Sequence, residues 1–197
     1  MTTVVLNGVT ALSHLGVIRA EGPDAASFLH GQLTQDFSLL QPGEARLAAL
    51  CTAKGRMIAS FIGVRPRPEL VLLVCSRDIL AATLKRLSMY VLRAKVKLSD
   101  ATESTALFGL AGTVLAANGI DAASPPGTRI ARPVAGSEDE ISIVPLYPAD
   151  GVPRALTRQD ISTNLTRTIK AGQDQGPPRE IDEHSKKRSG PEEWRPD

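Results

Sequence analysis

A lysine and an arginine flank a glycine between two apolar runs. Lys54 and Arg56 stand on either side of Gly55 in Ala53-Lys54-Gly55-Arg56. A guanidinium can bind an anion through two parallel hydrogen bonds, and a lysine adds a point charge. The pair is therefore a candidate anion-binding site. The alternative is two solvated charges at the tip of a hairpin, which is the simpler interpretation from these residues alone.

A second candidate group is made of polar residues spaced two apart. Gln32, Thr34 and Asp36 could line a polar pocket, in which Asp36 would accept hydrogen bonds from N–H groups of a ligand. Equally, they could cap the end of a helix and brace the following loop, and we favour this structural role. Ser60 is a further candidate contact, although serines near strand ends more often cap loops.

The cysteines and histidines do not form a recognisable metal or redox site. Cys51 and Cys75 lie in apolar runs without a Cys-x-x-Cys spacing, which predicts buried thiols rather than a disulfide or a metal pair. His14, His30 and His184 are scattered along the chain, so no metal ion is predicted.

Hydrophobic periodicity predicts the elements that must position these residues. Alternation and continuous apolar runs indicate strands, whereas three- and four-residue spacing indicates helices. Pro23 and Asp24 suit the opening of a helix, and Gly55 suits the turn of an antiparallel hairpin. The predicted order is strand 17–22, helix 23–33, strands 46–52, 57–64 and 70–75, helix 79–91 and strand 94–98.

This β-α-β-β-β-α-β order predicts an α+β fold. It fits a split β-α-β, ferredoxin-like antiparallel sheet with helices on one face. We expect this domain over residues 1–102, followed by an incomplete second α/β unit over residues 103–150. Residues 151–197 contain few large apolar side chains, so we expect a largely disordered tail there.

Composition and charge argue against two classes of partner. Twenty-three Lys and Arg residues against 21 Asp and Glu give a net charge of +2, which does not indicate a nucleic-acid or membrane surface. The basic run Lys186-Lys187-Arg188 is surrounded by acidic residues, so nucleic acid is not expected to bind there. No export signal precedes the domain, and the apolar run 70–75 is far shorter than the ~20 residues that span a bilayer. We therefore expect a cytoplasmic protein.

Three motifs carry a resemblance to a known family. The stretch 22–36, with Asp24-Ala25 followed by Phe28-Leu29-His30-Gly31-Gln32-Leu33-Thr34-Gln35-Asp36, resembles the opening of YgfZ-type proteins. Ala53-Lys54-Gly55-Arg56 is similar to that family's hairpin turn, and residues 95–100 are similar to its exit strand. The motifs occur in the family's order and cover about residues 15–100.

The resemblance implies a fold shared with the aminomethyltransferase of glycine cleavage, and tetrahydrofolate or a derivative as the ligand. Lys54 and Arg56 would then hold the anionic glutamyl tail. Asp36, with Gln32, would bind the pterin, and Ser60 would be a contact. The family is associated with the assembly or repair of iron–sulfur enzymes and with tRNA modification, so those enzymes or their assembly machinery are the implied partners.

The sequence departs from the family at two places. Ala59 and Ser60 stand where the aminomethyltransferases carry a carboxylate pair, so transfer of a one-carbon group by their route is not expected. No cysteine follows Cys75, so the hallmark Lys-Gly-Cys-x-x-Gly-Gln-Glu is missing, and Lys170-Ala171-Gly172-Gln173 does not replace it. Because the resemblance stops near residue 156, we expect a premature or shifted reading frame.

The sequence thus predicts a folate-binding accessory protein of the YgfZ type, impaired by loss of the cysteine motif, rather than an enzyme. Two alternatives stay open. One is a folate-dependent aminomethyltransferase, and the other is a protein-interaction module without a small ligand.

Overall fold

A computed structural model describes residues 6–121, 123–133 and 140–160. Within these ranges the helices are α1 (Ala25–Gln32), α2 (Arg77–Ser88) and α3 (Val114–Ala117), with a 3₁₀ turn at Thr102–Ser104. The strands are β1 (Gly8–Ala11), β2 (Leu15–Glu21), β3 (Glu44–Cys51), β4 (Met57–Arg67), β5 (Leu70–Ser76), β6 (Lys97–Asp100), β7 (Thr105–Ala111), β8 (Ile130–Pro133), β9 (Glu140–Ala149) and β10 (Val152–Asp160).

The strands form two antiparallel sheets. The first sheet has the order β3-β4-β5-β2-β6, and the second sheet has the order β1-β7-β10-β9-β8. In the first sheet α1 follows β2 and α2 follows β5, so the predicted β-α-β-β-β-α-β order is confirmed. The predicted α+β fold, with a mainly antiparallel sheet, is likewise confirmed.

Both helices of the first sheet cover the same face. Their buried side chains join those of the sheet in one apolar cluster, to which α1 contributes Phe28 and Leu29 and α2 contributes Leu80 and Leu87. The opposite face packs on the second sheet, where Val74 and Leu72 of β5 meet residues of β7, β9 and β10. Strand β5 is therefore buried on both sides, as its continuous apolar sequence requires.

The connection before α1 is held by a close backbone approach. Gly22 has φ +141°, and a Cβ there would lie 2.1 Å from the Lys95 carbonyl oxygen, so only glycine fits. Asp24 Oδ2 accepts a hydrogen bond from the Lys95 amide at 2.7 Å. This contact ties the start of α1 to the segment that leads into β6.

The prediction of a disordered tail from residue 151 was wrong for its first part. Strand β10 lies between β7 and β9 in the centre of the second sheet. The sequence did not indicate this strand, because three of its buried residues, Thr157, Arg158 and Gln159, are polar. The Arg158 guanidinium is paired with Asp160 at 2.5 Å, which offsets the cost of burying its charge.

Strands β1 and β8 were also missed, since each has only four residues at a sheet edge.

Residues 161–197 lie outside the described part of the chain, and with them the basic run 186–188 and the segment 170–173. No helix among the described residues is long and apolar enough to cross a membrane.

The two cysteines differ in their surroundings. Cys75 is buried with 3% exposure in the cluster under the helices, as predicted. Cys51 is half-buried, because it ends β3 next to the hairpin turn. Both are free thiols.

We predict that Cys75 reacts with a thiol reagent far more slowly than Cys51 in the folded protein. Burial, with smaller contributions from Asp100 and Asp78, raises the pKa of the Cys75 thiol from 9.0 to about 11. At neutral pH this leaves about a hundredfold less thiolate, the reactive form. Labelling followed by mass spectrometry measures both rates. Equal rates in the native protein would contradict the burial, and denaturation should abolish the difference.

Candidate functional site

The β3–β4 hairpin presents the predicted cationic pair. Its tight turn is closed by a hydrogen bond from the Gly55 amide to the Thr52 carbonyl at 2.9 Å and by one from the Thr52 amide to the Arg56 carbonyl at 2.8 Å. The Thr52 hydroxyl accepts the Arg56 amide at 3.1 Å. Gly55 has φ +77°, the left-handed conformation that the sequence predicted for this glycine.

Lys54 and Arg56 are both exposed at this tip. Among the described residues, neither side chain makes a hydrogen bond or an ion pair. A rigid turn with two uncommitted cations is suited to an anion, and it is equally compatible with solvated charges. The turn places Lys54 and Arg56 next to each other, and anion binding by the pair stays a prediction.

Asp36 is committed to its own loop. Its Oδ1 accepts hydrogen bonds from the amides of Ser38 at 2.8 Å and Leu39 at 3.2 Å. The same oxygen lies 3.2 Å from Nδ1 of His30, near the end of α1. These contacts favour the structural role for Asp36 over a direct ligand contact.

The neighbouring polar residues brace the edge of the first sheet. The Thr34 amide donates to the Ala49 carbonyl at 2.9 Å, and the Thr34 hydroxyl accepts the Ala49 amide at 2.9 Å. Thr34 thus satisfies part of the free edge of β3. Gln32, the last residue of α1, is half-buried beside it. Gln32, Thr34 and Asp36 therefore lie together, at the side of β3.

A cleft of about 640 Å³ opens between this edge of the first sheet and the second sheet. Its floor comes from β3 and β4, and its opposite wall comes from β9 and the loop before β8. The lining residues are Gln35, Gly43, Glu44, Ala45, Arg46, Leu47, Ile62, Pro125, Pro126, Gly127, Thr128, Val144, Pro145, Leu146 and Tyr147. None of the five residues predicted to bind a ligand is among them.

The cleft is closed at one side by a pinned loop. The Gly127 carbonyl accepts the Ala45 amide at 2.7 Å, and the Gly127 amide donates to the Pro145 carbonyl at 3.1 Å. Gly127 has φ +86°, and a Cβ on it would lie 2.6 Å from the Ala45 carbonyl oxygen. The loop therefore joins the two sheets through a glycine that no other residue could replace without movement.

Ser60 and Ala59 point to opposite faces of β4, as adjacent strand residues must. Ala59 is buried in the cluster under the helices, so this position faces away from the cleft. Ser60 is exposed and pairs with Ala49, one pair further along the ladder than Ala48 and Phe61. Ser60 is thus on the cleft face, two residues from Ile62, although outside the lining.

Few side chains of the cleft could act as an acid or a base. Glu44 is the one carboxylate among its described lining residues. Its Oε2 accepts the Gln41 amide at 3.1 Å, and its Oε1 lies 3.4 Å from the Arg46 guanidinium. No group of His, Cys, Asp and Glu residues in the described part of the chain is arranged to hold a metal ion.

The sequence did not predict the cleft because its walls come from segments that are distant in sequence. Leu47 and Tyr147 are 61% and 65% exposed, yet they come from two different sheets. The one indication in the sequence was Leu47, a large apolar residue at an outward position of β3. Only the fold shows that it faces the cleft.

A protein-family model matches the part of the chain that contains the first sheet. The model described as the GCVT N-terminal domain matches residues 3–117, which is more than half of the chain. The chain belongs to this family. The match covers the whole first sheet with its helices, together with β1, β7 and α3.

Individual relatives fall into two named groups. An aminomethyltransferase from Shouchella clausii is 31% identical over 105 residues, covering 53% of this chain and 28% of that protein. A tRNA-modifying protein YgfZ from Photorhabdus laumondii is 33% identical over 102 residues, covering 52% of this chain and 30% of that protein. The matched part is thus less than a third of either relative's length.

A solved structure supports the fold. The glycine cleavage system aminomethyltransferase T from Bartonella henselae superposes with a TM-score of 0.63 at 21% identity. The superposition covers 78% of this chain and 42% of that chain. The superposition therefore includes more of the chain than the family match does.

We predict that Gly127→Ala destabilises the fold more than Gly151→Ala. Both glycines have positive φ, so each alanine carries a left-handed penalty of about 1–2 kcal/mol. At Gly151 nothing lies within 4 Å of a new Cβ, whereas at Gly127 the Ala45 carbonyl lies at 2.6 Å. Urea unfolding measures both free energies. Equal losses would show that the loop does not press against β3.

Proposed function

We propose that this chain is a folate-binding accessory protein of the YgfZ type, a type that supports the assembly or repair of iron–sulfur enzymes and is linked to tRNA modification, and that it is impaired by loss of the cysteine motif. The observation that carries the proposal is the cleft. On a domain of the GCVT family, it combines apolar and aromatic side chains with polar groups in similar measure, and its one described carboxylate, Glu44, is already engaged. A site of this composition suits binding of a flat heterocycle.

The cleft suits the pterin part of a folate. Leu47, Ile62 and Tyr147 offer apolar and aromatic surface to the ring, while Gln35 and Thr128 offer hydrogen-bonding groups at the rim. Aromatic and apolar walls with a few polar groups are the usual composition of small-molecule sites. Because Asp36 is occupied by its loop, we assign Asp36 and Gln32 to supporting β3 beside the ligand.

The hairpin tip suits the anionic tail. From Ile62 to Met57 the cleft face of β4 extends over five residue steps, roughly 17 Å at the usual rise of a strand. Ser60 lies on this path, and Lys54 and Arg56 stand at its end. An elongated ligand with its ring in the cleft would thus reach the cations with its glutamyl carboxylates.

Two observations favour an accessory role over an aminomethyltransferase. Glu44 is held by the Gln41 amide and by Arg46, and Ala59 faces the helices, so no free carboxylate stands beside the proposed ring position. General acid–base chemistry needs such a group within hydrogen-bond reach of the substrate. The cysteine motif of the YgfZ type is missing from this sequence, so we assign folate binding to this chain and no thiol chemistry.

The proposed location is the cytoplasm, where free thiols such as Cys51 and Cys75 stay reduced. Iron–sulfur enzymes or their assembly factors are the proposed partners.

We predict that Leu47→Asp weakens the binding of tetrahydrofolate at least tenfold. The substitution removes apolar surface from the cleft and adds a carboxylate that the ligand would have to desolvate, a loss of at least about 1.4 kcal/mol. Leu39→Asp is the matched control, since Leu39 is 73% exposed and lies outside the cleft lining. Calorimetric titration measures both. Equal affinities would place the ligand elsewhere.

We predict that Arg56→Ala also lowers the affinity for tetrahydrofolate at least tenfold. A charge-assisted hydrogen bond to the tail contributes about 1.5–3 kcal/mol. Arg93→Ala is the control, because Arg93 is exposed in the segment before β6, and β6 is the edge strand opposite β3 in the first sheet. If Arg56→Ala has no effect while Leu47→Asp does, the ring position stands and the tail lies elsewhere. Turnover of an aminomethyl donor by the wild-type chain would instead favour the transferase.

A further inference from the structure

The segment between α2 and β6 presents large apolar side chains to solvent. Leu92 is 86% exposed, Met89 is 61% exposed and Tyr90 is 47% exposed. Scattered apolar residues on a surface are normal, but three within four consecutive positions form a patch. Together with the exposed Arg93, Lys95 and Lys97 that follow, we refer to these residues as the basic–apolar patch.

The backbone of this patch is fixed in place. Val91, Ala94 and Val96 point inward and pack on the cluster under the helices. The Lys95 amide donates to Asp24 Oδ2 at 2.7 Å, and its carbonyl oxygen lies against Gly22. The outward side chains are therefore displayed on an ordered support, which lowers the entropy cost of using them in a complex.

The charge of the patch has one sign. Between Asp78 and Asp100 the sequence contains five cations and no acidic residue. Two of the cations, Lys85 and Arg86, belong to the last turn of α2. Two acids border the segment among the described residues. Asp24 Oδ2 accepts the Lys95 amide, and Glu21 is opposite Lys97 in the β2–β6 ladder but forms its ion pairs with Arg19 and Arg67. Among the described residues no cation of the patch forms an ion pair, so the patch carries a net positive charge.

We infer that the basic–apolar patch is a docking surface for an acidic, amphipathic segment of another protein. Exposed Tyr, Met and Arg are residue types enriched at protein interfaces, and lysines fit a polar rim. Acidic groups on the partner would complement the cations and speed association. A nucleic-acid strand is the poorer fit, because successive bases need several stacking platforms and Tyr90 is the single aromatic residue of the patch. This inference does not depend on folate binding.

The test uses the full chain and three fluorescent probes. The first is a helical peptide with leucine on one face and glutamate on the other, the second carries lysine in place of glutamate, and the third is oligouridine RNA. Fluorescence anisotropy should detect binding of the glutamate peptide alone, with an affinity that falls as salt is added. Binding of the lysine peptide with equal affinity, or no binding of the glutamate peptide, would overturn the inference.

Two variants separate the apolar and the charged contributions. The double variant Met89→Ser with Leu92→Ser keeps every cation and should weaken binding of the glutamate peptide at least tenfold. Leu39→Ser, which alters another exposed leucine, should leave it unchanged. Lys95→Gln with Lys97→Gln should weaken binding and flatten its salt dependence. Tighter binding of RNA, insensitive to Met89 and Leu92, would instead assign the surface to nucleic acid and overturn the inference.

Discussion

The burial of β5 on both faces is the constraint on which the rest of the structure depends. Every residue from Leu70 to Cys75 is buried, so the first sheet must be covered on two sides. The helices α1 and α2 cover one side, and the second sheet covers the other. A strand that is apolar throughout would otherwise expose a face to water, at a cost proportional to its apolar area.

The cleft forms because the second sheet does not cover the whole face of the first sheet. The second sheet packs over β5, β2, part of β4 and the start of β3 at Ala45, while β3 is open beyond that point. Leu47 on β3 is 61% exposed, and the loop at Gly127 closes the gap at one point only. What remains is a space between two rigid sheets, with the Glu44–Arg46 pair at its floor. A site built on strands in this way is pre-organised for a ligand.

Local chemistry explains which predictions succeeded. Apolar alternation gave the hairpin strands, and Gly55 marked their turn, because a positive φ is a local requirement. Helix α2 was visible from the spacing of Ile79, Leu80, Leu84 and Leu87. Strand β10 could not be predicted from apolar periodicity, because its buried residues Thr157, Arg158 and Gln159 are polar. Their strand pairs with β7 on one side and β9 on the other, and only the fold shows this pairing.

The sequence by itself determined the order of the elements in the first sheet, the turn at Gly55, the absence of a carboxylate at Ala59 and Ser60, and the resemblance to the family. These features depend on residue type and on spacing within a few positions. Only the tertiary structure decided that Asp36 is used by its own loop, that Ser60 rather than Ala59 faces the cleft, and that Leu47 and Tyr147 are opposite walls of one space. The Asp36 contacts are local, but the sequence left a ligand contact open as an alternative. The other facts depend on sheet packing, which brings together residues up to a hundred positions apart, such as Leu47 and Tyr147.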